Sequence, residues 1–244
     1  MAEFKTHLTV TSIGSSIAST MLLASAMASP QEVLLYFTLG VVGGLLPDID
    51  SDNSLPVRLL FTFIATVISF LVMFRQQTDN TVVELFLVWM GSFIFIKYFL
   101  FSLFTKVTVH RGIIHSIPAA VLFGFITTIL LYHIFHFPEF VSWMAGLFVF
   151  GGCILHLLLD ELFSLNLTGS GPKKSTGTAF KFGNAGDLKS TFFIYLAIVL
   201  LFLATPEHNH FFSTILDTST YHHLKLFPSD NWFNELTFYQ SKFP

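Results

Sequence analysis

Charge is what this sequence has least of. Only 11% of its 244 residues are Asp, Glu, Lys or Arg, where a soluble domain carries about a quarter. Cysteine occurs once, as Cys153, which excludes an intrachain disulfide. Lys and Arg number 12 against 15 acidic residues, for a net charge of −3. That balance excludes the basic surface a nucleic-acid partner requires. No internal repeat is visible.

Apolar residues fill the chain instead. Hydrophobic side chains make up 53% of it, Phe occurs 31 times, and the mean hydropathy is +0.70. Several runs approach the ~20 residues needed to cross a bilayer. The sequence therefore predicts an integral membrane protein with an all-α fold, a polytopic bundle of about six to seven transmembrane helices. Seven apolar segments are read, at about 8–29, 31–47, 56–75, 82–104, 117–137, 140–163 and 190–205. Pro30, PDIDSDNSLP, RQQTDN, FPE and the Gly/Lys-rich 168–189 separate them. Residues 1–205 are expected to form the helical domain and 206–244 a small C-terminal extramembrane segment. Gly40, Gly43 and Gly44 in the short second segment predict a close helix contact or a tilt.

The start of the chain has two readings. MLLASAMASP ends like a signal-peptide cleavage site, but Glu3 and the serine-rich SIGSSIAST are poor signal-peptide features. Ser12, Ser15, Ser16 and Ser19 fall at helical spacing, a small-residue face suited to helix packing in a membrane. A retained first helix is the expectation, with cleavage as the alternative.

Counting crossings gathers the polar residues. If the residues before His7 lie on one side, PDID, HRGIIHS and HLLLD each return to that side. This parity collects His7, Asp48, Asp50, His110, His115, His156 and Asp160 at one membrane face. The same face carries Lys5, Arg58, Lys106, Arg111, Lys173, Lys174, Lys181 and Lys189, so the positive-inside rule makes it cytoplasmic. His133 and His136 fall at the opposite face, in aromatic surroundings that read as an interfacial belt.

The spacing within these motifs suits metal binding. His156 and Asp160 are four apart and share a helix face, and imidazole with carboxylate suits Zn²⁺, Mn²⁺ or Fe²⁺. Asp48 and Asp50 follow Pro47 in a turn. His110 and His115 are five apart across Gly112, where a loop entering a helix can turn both rings into one site. Alone, each is an ordinary turn, cap or loop histidine. Together, at three helix ends on one face, they make a metal site, because ionisable groups in a membrane face a cavity or one another.

GGLLPDIDSDNS, HRGIIHS, HLLLDELFS, the histidine of KTHLTV and KKSTGTAFKF together resemble the YdjM-type family of membrane-bound, predicted metal-dependent hydrolases. The resemblance covers residues 1–190. It implies a bacterial inner-membrane protein with a His/Asp metal site and hydrolase activity.

The expected function is hydrolysis of a lipid or lipid-linked (phospho)ester at the cytoplasmic interface by metal-activated water. One or two divalent ions are expected, zinc first, with manganese or iron as alternatives. The ligands would come from Asp48, Asp50, His110, His115, His156 and Asp160, with His7 completing the set. Arg111 would hold an anionic substrate group in its fork or serve as a positive-inside anchor. Ser54 and Ser116 would orient the ligands. The alternatives are a metal-ion or proton-coupled transporter and a non-catalytic scaffold with a structural metal.

Overall fold

The structure, a computed structural model, describes residues 3–50, 55–74, 81–100, 102, 114–164, 181–183, 188–222 and 224; the side chains of 49, 50, 55–61 and 63 are excepted. The described residues form eight α-helices and no strand. They are α1 (Phe4–Ala24), α2 (Pro30–Leu45), α3 (Leu55–Phe74), α4 (Val82–Ile94), α5 (Ile117–Ile129), α6 (Glu139–Ser164), α7 (Leu188–Ala204) and α8 (Asn209–Leu216). Helices α4 and α5 each run on through a π-helical turn, Phe95–Leu100 and Leu130–Ile134.

Local chemistry sets several helix starts. Ser29 accepts the Glu32 amide while the Glu32 carboxylate accepts the Ser29 amide at 2.6 Å, a reciprocal cap just before Pro30. Thr81 and Glu84 repeat the device at the start of α4. Ser116 caps α5 by accepting the Ala119 amide at 3.3 Å, with Pro118 in the first turn.

A helix overlaps each of the seven apolar segments, but the helices differ in reach. Val82–Leu100, Ile117–Ile134 and Glu139–Ser164 are long and apolar enough to cross a membrane. The pair α7 and α8, bent by 96°, makes a fourth if the two count as one span. Helix α2, at 16 residues, is shorter than the usual minimum, and the serines of α1 dilute its apolar content.

Helix α6 is the axis of the bundle. It packs against α2, α5 and α1, while α3 packs chiefly on α4. The close contact expected at the α2 glycines is with α6. A Cβ on Gly43 would overlap the Val149 carbonyl, and one on Gly152 would overlap the Gly40 carbonyl. Only glycine lets the two backbones approach this closely, the small-residue packing that replaces the hydrophobic effect inside lipid. The Cys153 thiol donates to the Gly43 carbonyl at 3.1 Å across the same contact.

Helix α1 belongs to this core. His7, Thr11, Ser15 and Ser19, one residue per turn, form its buried stripe. Ser16, expected on a packing face, is exposed. At the far end, α8 packs back onto α6. Phe211 of α8 is buried and stacks on Trp143 at 5.5 Å, and the Trp143 indole N–H reaches the Pro206 and Glu207 carbonyls at 3.3 and 3.2 Å. Large apolar side chains on α4 and α7, Phe86, Phe192, Val199 and Leu203 among them, face outward.

Candidate metal centre

Four elements meet at one end of the bundle. Helix α6 presents His156 and Asp160 from successive turns, both buried. Helix α1 brings His7 from its first turns, also fully buried. Asp48 comes from the Pro47–Asp50 turn that ends α2, and His115 from the bend before α5. His110, Arg111 and Ser54 lie outside the described residues, as does the side chain of Asp50. The Ser116 hydroxyl caps α5 and so holds the bend that carries His115.

The donor atoms form a cage. His156 Nε2 lies 3.5 Å from Asp48 Oδ1 and 3.6 Å from Asp160 Oδ2; His115 Nε2 lies 3.9 Å from each of the same two oxygens. These separations exceed hydrogen-bonding distance. Four donors held ~2.1 Å from one ion in tetrahedral geometry stand ~3.4 Å apart. Contraction by a few tenths of an ångström would close the cage on an ion. The Nε2 atoms of His115 and His156 are buried with no hydrogen-bond partner, a costly state for a polar atom without a bound ion or water.

The lone pairs are aimed as well as placed. His156 Nδ1 lies 2.8 Å from the Gly44 carbonyl and must donate to it, so in the neutral ring the ligating lone pair is on Nε2. An imidazole nitrogen binds within its ring plane. The His115 and His156 rings cross at 63°, so one ion can lie in both planes. His7 differs. Its ring stacks on His156 with centroids 3.7 Å apart and planes only 12° apart. One ion cannot lie in two nearly parallel planes, so His7 reaches the ion of His156 only after rotating. In the observed position its Nε2 lies 3.4 Å from Asp160 Oδ1, and neither of its ring nitrogens has a hydrogen-bond partner.

Two overlapping groups have metal-ligand spacing, His7–His156–Asp160 and Asp48–His115–His156. Both use His156, which has one nitrogen lone pair to offer. The described residues thus favour a single ion, with Asp160 as the carboxylate able to reach a second.

A profile for a family described as YdjM inner membrane protein matches residues 4–216. The chain belongs to the YdjM family. No curated protein and no solved structure matches it. The YdjM match extends past α7 and through α8, the helix that folds back on Trp143.

Electrostatics at the YdjM site favour a neutral His115. Burial lowers the pKa of His115, the charge of His156 adds to this, and Asp48 and Asp160 oppose it. Its imidazole therefore stays unprotonated at neutral pH, the form that ligates. Protons compete with the ion only below the ordinary histidine value of ~6.5. A loaded protein dialysed at stepped pH is expected to keep its ion at neutral pH and to release it only in acid. Release at neutral pH would contradict this reading of His115.

His133 supplies a control. Its Nε2 bonds the Ala204 carbonyl at 2.9 Å, tying the end of α5 to the end of α7. His133→Ala is expected to cost about 1 kcal/mol of stability and no metal, whereas His115→Ala removes a cage donor. Metal content of the two variants, measured side by side, checks the assignment.

The sequence did not point to the Gly44 carbonyl as the partner of His156. Its only trace is the glycine pair beside PDID, because a backbone acceptor leaves no mark of its own.

Proposed function

We propose that this protein is a metal-dependent hydrolase that cleaves a lipid or lipid-linked ester, carboxylic or phosphoric, at the cytoplasmic face of the inner membrane. The four-donor cage of Asp48, His115, His156 and Asp160 carries the reading, since its orphaned, aimed imidazole nitrogens fit a divalent cation. Zinc is the first choice for this N/O set, with manganese or iron next. Such an ion supplies Lewis acidity and brings the pKa of a coordinated water to about 7.

The chain's own residues do the rest. Two carboxylates balance the charge of a divalent cation. The Gly44 carbonyl fixes the tautomer and tilt of His156. His7 Nε2 lies 3.4 Å from Asp160 Oδ1, close enough to bias that carboxylate. Asp48 and His115, 30% and 20% exposed, form the open edge of an otherwise buried cage, so substrate and water arrive there. Arg111, near His115 in sequence, is assigned the anionic group of the substrate. The basic residues of the same face support the cytoplasmic orientation.

A structural ion is the second reading, because four protein donors can close a tetrahedral shell. Cobalt-substituted protein separates the two. A visible spectrum that shifts with inorganic phosphate, together with hydrolysis of a short-chain phospholipid that His115→Ala loses, supports the enzyme. An unchanged spectrum and no hydrolysis support the structural ion.

A further inference from the structure

Besides the cage, the structure holds a cavity of about 270 Å³ between α2, α3 and α5. Along α2 it runs from Leu46 to Leu35, and along α5 from Phe123 to Leu131 and Phe135. Ile64, Val67, Ile68 and Leu71 of α3 close its third side. It exists because α3 packs on α4, with Phe70 and Trp89 in ring contact at 5.6 Å, rather than against α2 and α5.

We infer that this groove holds one acyl chain of a membrane lipid, with the lipid's headgroup end at the metal cage. The inference rests on the proposed hydrolase reading for what happens to that lipid.

Three observations choose the occupant. The lining is apolar apart from Thr38 and Thr127, and both hydroxyls donate to their own helix, to the Leu34 and Phe123 carbonyls at 2.8 and 2.9 Å. With those donors engaged, little is left to pair a sugar or a peptide backbone, which inside a membrane would be costly to bury unpaired. Leu35 to Leu46 is ~16 Å of helix, about half the ~30 Å hydrocarbon core and thus one leaflet deep. A second helix, ~10 Å across, does not fit a cavity of this volume.

The third observation is continuity. Leu46 closes the groove at the end where Pro47 and Asp48 begin the cage. A chain lying along Leu35–Leu46 therefore has its ester linkage beside the exposed edge formed by Asp48 and His115. Lipid already surrounds the protein, so the groove gains little from the hydrophobic effect. It acts by packing and by register, setting which bond of the lipid reaches the cage.

Photolabelling tests this in nanodiscs of phosphatidylglycerol doped with diazirine-bearing phosphatidylglycerol, adducts being mapped by peptide mass spectrometry. A probe at the chain end should label Leu35, Leu131 and Phe135, and one near the headgroup should label Leu46. Leu39→Trp and Ile126→Trp, which fill the groove from different helices, should each lower groove labelling about tenfold, the effect of ~1.4 kcal/mol of lost packing. Labelling of outward-facing Phe192 and Val199 should not change. Labelling spread evenly over groove and outer face, unaltered labelling in both filled variants, or the reversed depth order would each overturn the inference. Metal content measured on the same samples separates the two ideas. A metal-free protein with groove-specific labelling removes the hydrolase and keeps the groove; a metal-loaded protein with even labelling does the reverse.

Discussion

His156→Ala is expected to strip the protein of its metal. His156 is the residue that both candidate ligand groups share, and its Nε2 faces Asp48 and Asp160 at 3.5 and 3.6 Å. Removing an outer hydrogen-bond partner of a ligand typically costs 10–100-fold in affinity, so loss of the ligand itself should cost more than about 100-fold. The change also leaves the buried Gly44 carbonyl without its imidazole donor, a penalty of ~1–3 kcal/mol. Asp160→Asn separates the two effects, since it keeps the side-chain shape while replacing the charge and one acceptor oxygen by an amide NH2. Both variants should lose metal by elemental analysis, while Asp160→Asn keeps the wild-type elution profile in detergent. Full metal content in His156→Ala would show that the cage does not hold the ion.

Gly152→Val is the second large effect, and it acts at a distance. A side chain at 152 meets the Gly40 carbonyl and the Gly44 amide nitrogen, so α2 must move away from α6. Overpacking of this kind typically costs 1–3 kcal/mol. The same shift pulls the Gly44 carbonyl from His156 and displaces the Pro47–Asp50 turn that carries Asp48. Metal affinity should fall together with thermal stability, although no ligand is altered. Gly151→Ala is the control, because a Cβ there meets no atom within 4 Å and should change neither property. A Gly152→Val protein that binds metal normally would show that the α2–α6 contact does not set the cage.

Much of this site was legible in the sequence, for identifiable reasons. His156 and Asp160 could be paired because four residues make about one helical turn. Asp48 could be added because an acidic turn between apolar runs has to be explained, and counting crossings brings it to the same face as His115 and His7. The stacking of His7 on His156 was not legible, since it depends on the angle at which α1 meets α6. The glycines of α2 announced a close contact without naming the partner helix. Among the described residues, three helices, or four counting the bent pair, meet the length and apolarity of a free-standing span. Helices α1 and α2 are serine-rich or short, and they are held by packing, α2 on α6 and α1 chiefly on α2. The chain beyond 205 read as polar and aromatic, which concealed that Phe211 belongs against Trp143.

If Asp48, His115, His156 and Asp160 together hold one divalent ion, the ion's own coordination shell will report it. X-ray absorption at the metal edge of the purified protein, with the metal counted per chain, tests it most directly. The expected result is about one equivalent, N/O ligands at ~2.1 Å with an imidazole signature, and loss of the signal in His156→Ala. A protein that stays metal-free after reconstitution, or whose ion persists unchanged in that variant, would contradict it.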